Sequence, residues 1–225
     1  VSQQISMFAD HRPPQVDGIT IHLGDVHLAI DAASGCSMVI ADPPWQYDNA
    51  GCRGNAADEY ALDSFDQITH VLTASYSAAA ANAYLLLWAT WPLHADWSRH
   101  MLSLPWRYLT GGSWHKTGGL GVGYHVRGDS EPWYLLAKGK PTSRTALTNA
   151  WSTPRGRHSE KPVKWLAAAI ENCTDPGDLV LSLWSGLCPE ARAAKLTGRR
   201  LIGAELDPGR HAEAVGLLAN LRVPP

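Results

Sequence analysis

Hydrophobic and polar positions alternate over Ile19-Thr20-Ile21-His22-Leu23, and a short apolar run at Met38-Val39-Ile40-Ala41 is stopped by Asp42-Pro43-Pro44. Both patterns predict strands. Ser64-Phe65-Asp66-Gln67 fits a capping box, which predicts a helix to about Asn82, followed by a buried-type strand at Tyr84-Leu85-Leu86-Leu87-Trp88. A further helix is expected over Pro92 to Leu104. Seven glycines scattered between Gly111 and Gly128 suit a mobile loop better than a regular element. Trp133 to Lys138 reads as a strand, and Leu147 to Arg157 as a polar connection. Helical spacing returns after Ser159, with Val163, Leu166, Ala167 and Ile170 on one face, and the turn Asp175-Pro176-Gly177-Asp178 ends it. A strand over Leu179–Trp184, a helix from about Glu190 to Leu196, a strand over Leu201–Leu206 and a final helix after Pro208 complete the pattern.

Strands and helices alternate, so the expected fold class is α/β, a mostly parallel sheet covered by helices on both faces. No repeat interrupts it. The expected organisation is a polar N-terminal segment, 1–18, and a single domain over 19–225.

Composition narrows the function classes. Of 225 residues 45% are hydrophobic and 18% charged, with a formal net charge of −2, which fits neither a disordered tail nor a globally basic nucleic-acid coat. A polyanionic partner must meet a local basic face. Cys36, Cys52, Cys173 and Cys188 lie far apart, without the spacing of a zinc site, so no metal is expected and the thiols read as reduced. No apolar run approaches the roughly 20 residues that span a bilayer, and Val1 to Gln15 is unlike a signal peptide. A cytoplasmic protein, in a bacterial or phage-infected host cytosol, is the expectation.

The sharpest chemical signal is Asp42-Pro43-Pro44-Trp45, directly after an apolar strand and so at the end where open α/β sheets place ligands. A D-P-P turn alone is a common loop opener. These four residues also fit one reaction. The lone pair of an exocyclic base amine is delocalised into the ring and attacks a methyl donor poorly until acceptors draw on its N–H groups. Asp42 supplies one acceptor and the Pro43 carbonyl another; proline fixes φ and brings no competing donor. Trp45 offers a face for a base to stack on.

Here the sequence resembles the MT-A70-like adenine-N6 methyltransferases, within the wider group of amino methyltransferases that carry D-P-P-[WYF]. The likeness runs through Leu86-Leu87-Trp88-Ala89-Thr90, Trp114-His115-Lys116-Thr117-Gly118, Gly121-Val122-Gly123-Tyr124, Arg127 with Glu131-Pro132, Lys138-Gly139-Lys140-Pro141, and His158-Ser159-Glu160-Lys161-Pro162. It implies a Rossmann-like methyltransferase fold in permuted motif order and S-adenosyl-L-methionine as cofactor. It implies roles as well: Asp42, Pro43, Pro44 and Trp45 catalytic; Asp25, Val26, Asp42, Lys138, Ser182, Gly186 and Glu205 on the cofactor, with Lys138 near its carboxylate and Glu205 on the ribose hydroxyls; Tyr47, Trp114, Lys116, Tyr124, Arg127, Arg157, His158 and Lys161 on the substrate. The sequence departs from the family at Ser182-Leu183-Trp184-Ser185-Gly186-Leu187-Cys188, where relatives read D-P-F-x-G-x-G, so the glycine loop keeps only Gly186.

Most of the ten tryptophans are expected in the core; Trp45 and Trp114 are the two assigned to the site. Lys138, Lys140, Arg144, Arg155, Arg157, Lys161 and Lys164, against the single acid Glu160, suggest a face for phosphates. The resulting expectation is an adenine-N6 methyltransferase acting on nucleic acid, DNA in preference to RNA, as a monomer or homodimer and without a membrane. The same chemistry on RNA and a catalytically silent adaptor are the alternatives, with cytosine N4 a chemical neighbour. A G-x-S-x-G elbow is absent, and Cys188 precedes its proline, unlike the Pro-Cys nucleophile that attack at cytosine C5 requires.

Overall fold

The computed structural model describes residues 15–16, 18–46, 62–118, 125–144, 147–154 and 160–222. Tyr47, Tyr124, Arg157 and His158, assigned to the substrate above, lie outside the described residues.

Among the described residues nine strands form one sheet: β1 (Gln15–Val16), β2 (Ile19–Leu23), β3 (Cys36–Ala41), β4 (Ala79–Trp88), β5 (Arg107–Thr117), β6 (Ser130–Lys138), β7 (Ala150–Pro154), β8 (Leu179–Leu183) and β9 (Arg200–Glu205). Their order is β1-β2-β9-β8-β3-β4-β6-β5-β7. Strands β2, β9, β8, β3 and β4 run parallel, β6 is antiparallel to β4 and to β5, and β7 is parallel to β5. The described α-helices cover the faces: α1 (His27–Ala32), α2 (Phe65–Ala78), α3 (His94–Met101), α4 (Val163–Cys173), α5 (Pro189–Leu196) and α6 (Pro208–Ala219).

The period of two along the strands divides the core. Val39 and Ala41 of β3 join Leu72 of α2 and Trp97 of α3 on one face. Met38 and Ile40 join Leu166 of α4, Ala194 of α5 and Leu218 of α6 on the other. A strand buried from both sides has no polar face, which is why β3 and β8 read as short apolar runs.

The chain leaves β3 through α2 to reach β4, and leaves β8 through α5 to reach β9, so the adjacent strands β3 and β8 send their connections in opposite directions. This is the switch point at which such sheets open a crevice beyond their carboxyl ends.

Four expectations change. Gly111 to Thr117 belongs to β5, not a loop: Gly112 lies so close to the Asn149 carbonyl that a Cβ has no room, and a Cβ on Gly111 would meet the Trp133 carbonyl oxygen at 2.8 Å. Glycine there permits close approach of backbones. Ala150–Pro154, expected as a connection, is the edge strand β7, whose alternating exposed positions hid it among polar residues. The capping box at Ser64 and Gln67 forms as expected, but α2 ends at Ala78, because the alanine run that continues its helical propensity pairs with β3 at Cys36. The sheet also extends below residue 19, since Gln15 and Val16 pair with β2. Among the described residues no helix is long and apolar enough to cross a membrane, and no group of three or more His, Cys, Asp or Glu is arranged to hold a metal ion.

Candidate active site

The carboxyl ends of β2, β9, β8, β3 and β4 open into one cleft of ≈ 1050 Å³. Gly24, Asp25 and Val26 line it after β2, Asp42 to Trp45 after β3, Ala89 and Thr90 after β4, Trp184 to Leu187 after β8, and Glu205 and Leu206 after β9. Glu131, Glu160, Lys161 and Glu190 also line it.

At the end of the cleft formed by β2 and β9, Glu205 accepts from the backbone N–H of Gly186 at 2.6 Å and of Asp207 at 2.9 Å. Asp25 accepts from the backbone N–H of His27 at 2.9 Å and meets its ring Nδ1 at 2.6 Å. Partial burial alone would raise the Asp25 carboxyl; the His27 contacts hold it below its ordinary value. Two carboxylates at neighbouring strand ends suit the hydroxyls and amine of a nucleoside.

At the other end, Asp42 accepts from Lys161 Nζ at 2.5 Å while 31% of its side chain remains exposed. Lys161, only 6% exposed at its side chain, also lies 3.4 Å from Glu131 Oε2 and 5.3 Å from the centroid of the Trp88 ring. Glu131 in turn pairs with Lys116, which stands 4.8 Å over Trp114. Charges therefore alternate along Asp42, Lys161, Glu131 and Lys116, over a floor of Trp88, Trp114, Trp133 and Trp165. Burial pushes the Asp42 carboxyl above its ordinary value, and Lys161 opposes that rise. Burial would lower Lys161, yet Asp42 and Glu131 hold it above the ordinary lysine value. Glu131, which burial alone would raise, is held below its ordinary value by Lys161 and Lys116.

The Pro43 carbonyl accepts from Trp45 N–H at 2.9 Å, leaving its second lone pair, and the Pro44 carbonyl accepts from Asp63 N–H at 2.9 Å. The Trp45 ring meets Trp97 edge-on at 4.9 Å and Phe65 at 6.2 Å, so the residue is 6% exposed and a stacking base meets only that surface.

The loop after β8 keeps a glycine-like path with one glycine. Trp184, Gly186 and Cys188 have φ of 55°, 55° and 45°. Trp184 and Cys188 are held there although L side chains disfavour that region. Burial of Cys188 and the bond from Trp184 Nε1 to Asp63 Oδ2 at 2.9 Å fix the two positions.

Asp25, Val26, Asp42, Pro43, Pro44, Trp45, Lys161, Gly186 and Glu205 are thus brought to one cleft. Other expectations need correction. Lys138 lies at the far end of the sheet, opposite Ala83 at the start of β4, where its Nζ donates to the carbonyls of Tyr76 and Ala79 at 2.7 and 2.8 Å; it cannot reach a ligand in the cleft. Ser182 is buried beneath the loop, 3.1 Å from Ser185 Oγ. Trp114 is 2% exposed and donates to Thr153 Oγ1 at 2.8 Å, a core role. Lys116 and Lys161, assigned to the substrate, bind carboxylates inside the protein: Lys116 pairs with Glu131, and Lys161 with Asp42 and Glu131. Among the described residues of the cation run, Lys138 points away, Arg144 is paired with Asp175 and Lys161 is buried, so these do not join in one basic face; Arg127 and Lys164 are exposed.

Glu131 and Glu190 were missed as site residues. Glu131 carried a signal, since Glu131-Pro132 recurs among the family blocks. Glu190 falls in the first turn of a helix, where acids are common; only tertiary structure turns it to the cleft.

No protein-family model matches the chain, and no curated protein matches it in sequence. Solved structures do share its fold. The chain is similar to M1.HpyAVI, with 16% identity and a TM-score of 0.69 over 91% of this chain and 100% of that one. It is similar to a Thermus thermophilus protein described as a 'putative DNA modification methylase', at 22% identity, TM-score 0.68, covering 88% and 94%. A third likeness is PvuII DNA methyltransferase, described as cytosine-N4-specific, at 14% identity, TM-score 0.72, covering 92% and 88%. The first two have also been solved in complex with S-adenosyl-L-methionine. The methyltransferase fold expected from the sequence is the fold observed.

Proposed function

We propose that this chain transfers a methyl group from S-adenosyl-L-methionine to an exocyclic amine of a nucleic-acid base, adenine N6 in DNA. The observation that carries the proposal is the position of Asp42-Pro43-Pro44-Trp45, intact, at the carboxyl end of β3 and on the switch point between β3 and β8.

The cleft fits the cofactor. Its volume of ≈ 1050 Å³ has room for a nucleoside-sized ligand and an incoming base. Its described walls are rich in carboxylates, among them Asp25, Asp42, Glu190 and Glu205, which suits a cationic ligand. Asp25 and Val26 would hold the adenine and Glu205 the ribose. When bound, the cofactor supplies a sulfonium-activated methyl group, so no protein nucleophile is required.

Asp42 and the Pro43 carbonyl accept the two N–H bonds of the target amine, which returns its lone pair to nitrogen and aims it along the line of attack. Lys161 holds Asp42 Oδ2, leaving Oδ1 for the amine, and favours the ionised carboxylate. Methyl transfer to the nitrogen would leave the cofactor's sulfur neutral and the amine with one proton too many. Asp42 then accepts the proton released by the methylated amine. A base inside a duplex must be flipped out to reach this depth.

Adenine is favoured by the family resemblance, and DNA by the descriptions of the similar structures. A second reading, cytosine N4, is favoured by the likeness to PvuII methyltransferase. Incubation with labelled cofactor and duplex DNA, single-stranded DNA or RNA, followed by nucleoside mass spectrometry, separates them: N6-methyladenine from DNA is expected, and N4-methylcytosine would replace the adenine reading.

A further inference from the structure

Glu190, in the first turn of α5, is 4% exposed and lines the cleft. Its Oε2 has no hydrogen-bond partner among the described residues. A buried carboxylate oxygen without a donor is costly unless a ligand supplies one. The charged groups facing it are Asp42 from the end of β3, Lys161 before α4 and Arg192 from its own helix. Lys161 is already engaged with Asp42 and Glu131, and Arg192 with Glu160. The neighbours place Glu190 at the Asp42 end of the cleft, away from Asp25 and Glu205.

We propose that Glu190 binds the α-ammonium group of the methyl donor's amino-acid portion. The inference rests on the cofactor reading above. With the nucleoside at Asp25 and Glu205, the amino-acid tail would run along the cleft toward Asp42 and Glu190, which line it. An ammonium offers three N–H donors to the open oxygen. The sulfonium offers none, and a carboxylate placed against its methyl would compete as the nucleophile. This chain has Ser182 where the resembled family carries an acid, and Glu190 restores a negative charge to the same loop-and-helix region.

The test compares binding of S-adenosylhomocysteine, which carries the ammonium, with 5′-methylthioadenosine, which lacks the amino-acid portion, by calorimetry. The wild-type protein is expected to prefer S-adenosylhomocysteine, and Glu190→Gln to weaken that ligand roughly tenfold while leaving 5′-methylthioadenosine within about twofold. The retained nucleoside binding also shows that the variant is folded. Wild-type affinity for S-adenosylhomocysteine should fall as pH drops through about 7, where burial places the Glu190 carboxyl, and Glu190→Gln should lose that dependence. Equal weakening of both ligands, or of neither, overturns the role of Glu190 and leaves the cofactor reading standing. Binding of neither ligand by the wild-type protein overturns both.

Discussion

Lys161 Nζ lies 2.5 Å from Asp42 Oδ2 and 3.4 Å from Glu131 Oε2, so a single buried ammonium joins the carboxylate of the D-P-P-W turn to a second carboxylate on β6. Removing one member of such a group leaves the others charged and without compensation.

Lys161→Met is therefore expected to lower stability by about 3–5 kcal/mol in chemical denaturation. It should also raise the Asp42 carboxyl further, because Lys161 opposes the rise that burial causes. The acid limb of the methyl-transfer pH profile should move to higher pH, with activity at about pH 6 lost more than activity at about pH 9. A uniform loss at all pH values would mean that Lys161 does not act through Asp42.

Glu131→Gln leaves Lys116 and Lys161 with one carboxylate fewer. The Glu131 carboxyl is held below its ordinary value, so its contribution is present above about pH 4.5 and is lost as pH falls through the folded value. Urea unfolding should show a deficit of about 3 kcal/mol at about pH 7, shrinking below about pH 4.5. A deficit independent of pH would point to packing in place of charge.

How much of this was legible beforehand differs by element. β3, β8 and the turn at Asp42 were readable because burial on both faces forces an apolar run and proline ends it. The capping box marked the start of α2, but not its end, since Ala79 to Ala83 favours a helix locally and becomes strand through pairing with β3 at Ala79 and with β6 at Ala83. Glycines at 111 and 112 looked like a loop because close approach to Asn149 and Trp133 is a tertiary fact. The roles of Lys138 and Lys161 separated for the same reason. Both are lysines in family-like blocks, yet β6 runs antiparallel to β4 and carries Lys138 to the far end of the sheet.

Glu190 gives the opposite pH sign to Glu131. Burial raises its carboxyl to about 7 from an unfolded value of 4.5, so the stability it contributes is full below pH 4.5 and is lost as pH rises through about 7. Glu190→Gln should stabilise the ligand-free protein by about 3 kcal/mol at about pH 8 and by little at about pH 4.5. The same substitution is expected to weaken ligand binding, as for other strained functional groups. Equal stability changes at the two pH values would contradict a buried carboxylate.

Cys36, Cys173 and Cys188 are buried, and burial pushes their thiols up to about 11, 12 and 12. Thiolate is the reactive form. Iodoacetamide at about pH 8 should leave all three unmodified in the native protein, as read by peptide mass spectrometry, and modify them after denaturation. Rapid native labelling of Cys188 would contradict its burial at the end of the loop after β8.

The most direct test of the account follows labelled methyl transfer to unmethylated DNA under single turnover, by the wild-type protein and by Asp42→Ala, with cofactor binding measured for both. The prediction is labelled N6-methyladenine from the wild type, with a loss of at least about a hundredfold in Asp42→Ala at saturating cofactor. Equal labelling by the two proteins, or no labelled base from a wild-type protein that binds the cofactor, would contradict it.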